Sequence, residues 1–155
     1  MGLPDISAAL WRERNLLEML LFKLDEVQLL LAQGDSRWLG QATREVAAVL
    51  EEIRMAEVLR ACLVEAQSPS LGLGPNASLR SLALEAPSPW NELLTEHRMA
   101  FLALTDEISA VARANQELWL KGHFCVRDLV DGTARQHDGV RRRQTVAGAP
   151  LMVDH

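Results

Sequence analysis

Residues 29–39 read LLLAQGDSRWL, and the architecture turns on how these residues fold. Three leucines run into Gly34, Asp35 and Ser36, after which Trp38 and Leu39 resume an apolar pattern. Glycine tolerates the left-handed backbone that ends a helix, and Asp35 or Ser36 suits the N-cap of the next one. So short a connection makes two helices antiparallel neighbours. The expectation is a helical hairpin closed at Gly34.

Upstream of the break, the first helix is expected from about Asp5 to Gln33, with Pro4-Asp5 as its start. Ile6, Leu10, Leu17, Leu20, Leu24, Val27 and Leu31 fall on alternating three- and four-residue steps. That is a heptad seam interrupted only by Glu13. Leu16, Leu21, Leu29 and Leu30 widen the stripe, so the helix should touch more than one neighbour. Downstream, the second helix is expected over 37–66. Its seam is Leu39, Ala42, Val46, Val49, Ile53, Ala56 and Leu63, with Arg60 the exception. Glu51, Glu52 and Arg54 occupy its solvated side.

The stretch SPSLGLGPN at 68–76 holds two prolines and two glycines and excludes helix. ASLRSLALEA fits a short helix over 77–86. PSPWNE then restarts, with Ser88 as N-cap, Pro89 at the first helical position and Glu92 in the first turn. The third long helix is expected from about Pro89 to Val130, roughly 60 Å at 1.5 Å per residue. Leu94, Phe101, Leu104, Ile108, Val111 and Leu118 follow the heptad, and the register continues through Gly122, Cys125 and Leu129. His97 and Asn115 are its polar members. The expected fold class is all-α: three long helices in an antiparallel hairpin or coiled-coil-like bundle, a rod more than a compact globule. Residues 1–131 form the helical domain, and 132–155 a disordered, flexible polar tail.

Charge removes several function classes. Residues 1–131 carry 12 basic and 19 acidic residues, net −7, and 132–155 carry 4 and 2, net +2. Such a body repels nucleic acid and anionic membrane. The Arg141–Arg143 run reads as solvated charge in a polar tail. The N-terminal MGLPDISAALWRER has no basic n-region and no apolar h-region, and no apolar run approaches a membrane span. A cytoplasmic chain without stable membrane insertion is expected, with Cys62 and Cys125 as reduced thiols.

The candidates for chemistry are few. His97 invites a phosphotransfer reading, but the lysine one turn on that would offset a phosphoryl charge is missing; Ala100 and Phe101 stand there. His123 and Cys125 supply two soft ligands where a structural zinc site needs four. Glu51-Glu52 and Asp106-Glu107 are sequence neighbours about 100° apart on a helix and do not face each other. No Gly-rich phosphate loop, nucleophile elbow or H-E-x-x-H occurs. The expectation is no catalytic residue, no metal and no cofactor.

What remains is apolar surface in ARANQELWLKGHF, residues 112–124, and just beyond. The seam accounts for Leu118, Cys125 and Leu129. Trp119, Val126 and Val130 make a second stripe at helical spacing, flanked by Leu120 and Phe124. Two readings stand: this surface packs on the 77–86 helix, or it is a groove for a partner's amphipathic helix. A seam amide sets register or partner choice, so Asn115 would mark where the helix leaves its intramolecular seam.

At this point the chain resembles the FlgN-type flagellar export chaperones, over about residues 5–131. The resemblance rests on the acidic, leucine-rich first helix ending in LLLAQGDSRWL, the glutamate-rich second helix, the irregular middle and ARANQELWLKGHFCVRDLVDG. RQHDGVRRR is similar to the polar tail of actinobacterial-style members. Phe124 stands where the family has tyrosine. The resemblance implies a cytosolic chaperone that binds the C-terminal helical region of hook-associated, hook–filament junction proteins. It would keep them unassembled and deliver them to the flagellar type III export gate or ATPase complex. The client-binding residues would be Asn115, Leu118, Trp119, Leu120, Phe124, Val126, Leu129 and Val130. The competing readings are a coiled-coil structural or adaptor subunit, with a homodimer left open, and a phosphotransfer module at His97.

Overall fold

The computed structural model describes the backbone of residues 2–136 and the side chains of residues 2–122. The chain divides into two units, Met1–Gly122 and His123–His155. The core and every side-chain contact below belong to the first.

Among the described residues four α-helices form, not three: α1 (Leu3–Gln33), α2 (Leu39–Gln67), α3 (Leu79–Glu85) and α4 (Trp90–Gln136), with a 3₁₀ turn at Ser68–Leu71. The short helix expected over 77–86 is α3. No strand occurs among the described residues.

The helix ends follow local chemistry. Asp5, the expected start of the helix, is the third residue of α1; its carboxylate accepts the Gly2 N–H at 2.7 Å, and the helix begins two residues earlier, at Leu3. At the other end Gly34 takes φ 68°. There the Gly34 N–H donates to the Leu31 carbonyl and the Asp35 N–H to the Leu30 carbonyl. This paired closure satisfies carbonyls the helix leaves open. Asp35 then accepts the Arg37 N–H at 3.0 Å and holds the turn instead of capping α2, which begins later, at Leu39. Before α4 the Pro87 carbonyl accepts the N–H groups of Trp90 and Asn91, leaving Ser88 and Pro89 in the turn. The helix continues past Val130 and through Gly132 to Gln136. A lone glycine costs a helix only about 1 kcal/mol, so the helix overruns the expected start of the tail. Residues 137–155, the rest of that tail, lie outside the described residues.

Side-chain pairs set the directions. Glu13 meets Arg60 and Lys23 meets Glu45, so α2 runs antiparallel to α1. Ser7 meets His97 and Asn115 meets the Leu24 carbonyl, so α4 runs parallel to α1. The 3₁₀ turn and α3 carry the chain across the open end of the hairpin, which returns α4 to the start of α1. One core cluster lies there: Leu3, Ile6 and Leu10 of α1, Val64 of α2, Leu82 and Ala83 of α3, and Leu94 of α4. A second joins Leu20 to Val49 and Ile53, with Ile108 of α4 packed on it. The expected hairpin is present, and α4 lies along it as a third long helix.

Candidate functional site

Every polar interruption of the heptads is buried or paired across helices. Glu13 is 4 % exposed, and its carboxylate accepts Nε of Arg60 at 2.6 Å and a terminal guanidinium nitrogen at 3.2 Å. The two exceptions in the first two seams therefore pair with each other.

His97 is 1 % exposed. Its Nδ1 lies 3.4 Å from an Arg14 guanidinium nitrogen and its Nε2 3.4 Å from Ser7 Oγ. Arginine only donates, so Nδ1 accepts and Nε2 carries the proton toward Ser7. Burial pushes the imidazole below the usual histidine range, and the Arg14 charge adds to this against a smaller opposing effect of Glu96. The Trp11 ring meets His97 edge-on at 5.0 Å, and the Arg14 guanidinium stacks 4.3 Å from the Trp11 centroid. A sealed, neutral imidazole whose free lone pair faces a guanidinium is built to join α1 and α4. It offers no open nitrogen to a phosphoryl donor.

Asn115 is 8 % exposed, and its Nδ2 donates to the Leu24 carbonyl at 2.9 Å. Its Oδ1 is buried without a hydrogen-bond partner. Immediately beyond, the surroundings change. Leu118 is half-buried, whereas Trp119 is 51 % and Leu120 50 % exposed. Trp119 and Leu120 do not pack on α3: α3 sits with Leu3, Ile6 and Leu94 at the other end of the hairpin, while Asn115 is level with Leu24. The side chains of Phe124, Val126, Leu129 and Val130 lie outside the described residues; their backbone belongs to α4.

Elsewhere Lys23 bridges Glu45 at 2.8 Å and Glu26 at 3.4 Å. The Glu45 hydrogen bond holds the ammonium above the usual lysine range, and Lys23 holds the Glu45 carboxyl below its own. An open groove of about 600 Å³ between α1 and α2 is lined by Trp11, Arg12, Met19, Val49 and Glu52 among others. Among the described residues no group of three His, Cys, Asp or Glu is placed to hold a metal ion, and no helix is long and apolar enough to cross a membrane.

Sequence reasoning missed two features. One is the Ser7–Arg14–Trp11 surround of His97, for which no local signal exists. The other is an exposed apolar face on α2, made by Met55, Val58, Leu59 and Cys62. Its i, i+3, i+4, i+7 spacing was visible but sits off the main seam.

The described helices make an all-α fold in which α2 runs antiparallel and α4 parallel to α1, with Trp119 and Leu120 half-exposed on α4. The family model described as FlgN protein matches residues 1–131, and the chain belongs to the FlgN family. Its general role is that of a flagellar export chaperone, acting on flagellar proteins. Comparison with the curated proteins and with the solved structures returned no match.

Proposed function

We propose that this protein is a cytoplasmic chaperone that binds the C-terminal helical region of hook-associated proteins of the hook–filament junction. It prevents their premature assembly and delivers them to the flagellar type III export apparatus. The observation that supports this is the exposure of Trp119 and Leu120 one turn beyond the buried tie at Asn115. Two large apolar side chains held half in solvent on α4 suit an amphipathic client helix, since large aromatics dominate such contacts. The client surface centres on Trp119 and Leu120, takes in Asn115 and Leu118, and extends to Phe124, Val126, Leu129 and Val130 on the same helix. Like the rest of 1–131, the client-bearing body is acidic, which opposes aggregation while the client is held.

The test is titration calorimetry with a hook-associated protein's C-terminal peptide, beside a melting curve for each variant. Trp119→Ala should lower affinity roughly tenfold and leave melting unchanged. Full affinity in a stably folded Trp119→Ala/Leu120→Ala chain would sink the assignment.

A further inference from the structure

The exposed face of α2 is unused by the reading above. Met55 and Val58 are 67 % and 64 % exposed, Leu59 47 %, and Cys62 is exposed beside them. They lie at i, i+3, i+4 and i+7, the spacing by which one helix presents two turns of apolar surface to another. Exposed carboxylates stand at both ends, Glu51 and Glu52 before the face and Glu65 after it. The bases of this stretch are already engaged: Arg54 with Glu51 at 2.6 Å, Arg60 with Glu13. Glu51 is held by Arg54, and Arg12 of α1 lines the same groove as Glu52 without an ion pair to it, so Glu52 at one end and Glu65 at the other are the carboxylates left to a partner.

This arrangement discriminates between occupants. In an antiparallel pair of α2 helices centred between Val58 and Leu59, Met55 would face Cys62 of a second copy. Glu52 would then face Glu65 of that copy. A parallel pair would set each glutamate against itself. Either way two copies stack carboxylates, and like charges placed directly opposite are unfavourable. We propose that this face docks a short amphipathic helix of a different protein, one that carries Lys or Arg at both ends of a two-turn apolar face. The Glu13–Arg60 pair places this part of α2 beside the first half of α1, while Asn115 ties the client region to Leu24, near the end of α1. The α2 face and the Asn115 tie therefore stand at different halves of the hairpin. A chaperone that holds cargo at one surface thereby keeps a separate handle for a second partner.

The test uses the full chain and two fluorescent synthetic helical peptides that share one leucine face. One is flanked by lysines and the other by glutamates. At about 0.15 M salt, where exposed pairs retain part of their attraction, the lysine peptide should bind roughly fivefold tighter or more. Met55→Asp/Val58→Asp should abolish this binding, and Glu52→Lys/Glu65→Lys should invert the preference. Trp119→Ala should leave it unchanged, whereas calorimetry with the hook-associated peptide should respond to Trp119→Ala and not to Met55→Asp/Val58→Asp. Four results would overturn the proposal. One is equal binding of the two peptides, and another is loss of peptide binding in Trp119→Ala. A third is sedimentation as a dimer that Met55→Asp dissociates, which gives the face to a second copy. The last is tighter peptide binding by R141Q/R142Q/R143Q, which gives it to this chain's own basic run.

Discussion

Glu13 of α1 and Arg60 of α2 hold each other through two N–H···O contacts, 2.6 and 3.2 Å long, with the carboxylate almost fully buried. Each would be a defect in its own seam. Together they fix the register of the hairpin, because a shift of one turn would leave a buried carboxylate alone.

Breaking that pair should therefore be worse than replacing it. Arg60→Met leaves Glu13 buried and uncompensated and should destabilise by about 2–3 kcal/mol, less than for a fully buried pair because the Arg60 side chain is 30 % exposed. The double variant Glu13→Leu/Arg60→Met should recover most of the loss. Urea unfolding of the three variants checks this. A double variant weaker than either single would show that the pair contributes stability and not only register.

Stability should also depend on pH through His97. Its folded value lies below the usual histidine range of about 6.5. As pH falls through that range, the unfolded chain takes up a proton that the folded chain refuses. Stability is therefore full above about pH 6.5 and declines as pH falls from there toward the folded value. A His97→Gln chain should show a flatter melting-temperature profile between about pH 7 and 5. An unchanged slope would mean that other groups carry the acid sensitivity.

Asn115→Leu should raise the melting temperature. It removes a carbonyl buried without a partner, at the loss of one hydrogen bond to Leu24, and net gains of this kind are about 1 kcal/mol. Asn115→Asp should do the reverse by about 2 kcal/mol or more, since a carboxylate cannot donate to the Leu24 carbonyl. If the amide also sets where α4 hands over to the client, Asn115→Leu should weaken client binding despite the added stability. Calorimetry beside differential scanning calorimetry separates the two effects.

Leu82 of α3 is fully buried between the start of α1 and the start of α4. Leu82→Ala should cost about 2–4 kcal/mol through the cavity it leaves. Client affinity should fall only in proportion to the unfolded fraction, because α3 lies at the other end from Trp119. A selective loss of client binding in a folded Leu82→Ala chain would extend the client surface to α3.

Periodicity carried most of the architecture. Heptads specify helices, and the glycine at 34 with its positive φ specifies where the first must turn, because both are local consequences of side-chain size and backbone sterics. The three long helices, the short α3 and the hairpin were legible on those grounds. So was the apolar surplus after Asn115, since more nonpolar residues stand there than one seam can use. Long-range geometry was not legible. Glu13 and Arg60 are 47 residues apart, and His97 is 90 from Ser7. No local pattern tells a misplaced charge from half of a pair. The direction of α4 was equally hidden: whether it lies parallel or antiparallel to α1 depends on where the 3₁₀ turn and α3 bring the chain. That placement follows from burying Leu82, Ala83 and Leu94 against Leu3, Ile6 and Leu10. The same packing keeps α3 away from Trp119 and Leu120 and leaves them half in solvent. Hydrophobic burial is non-directional, so a sequence can announce that a residue is apolar without saying which neighbour will cover it.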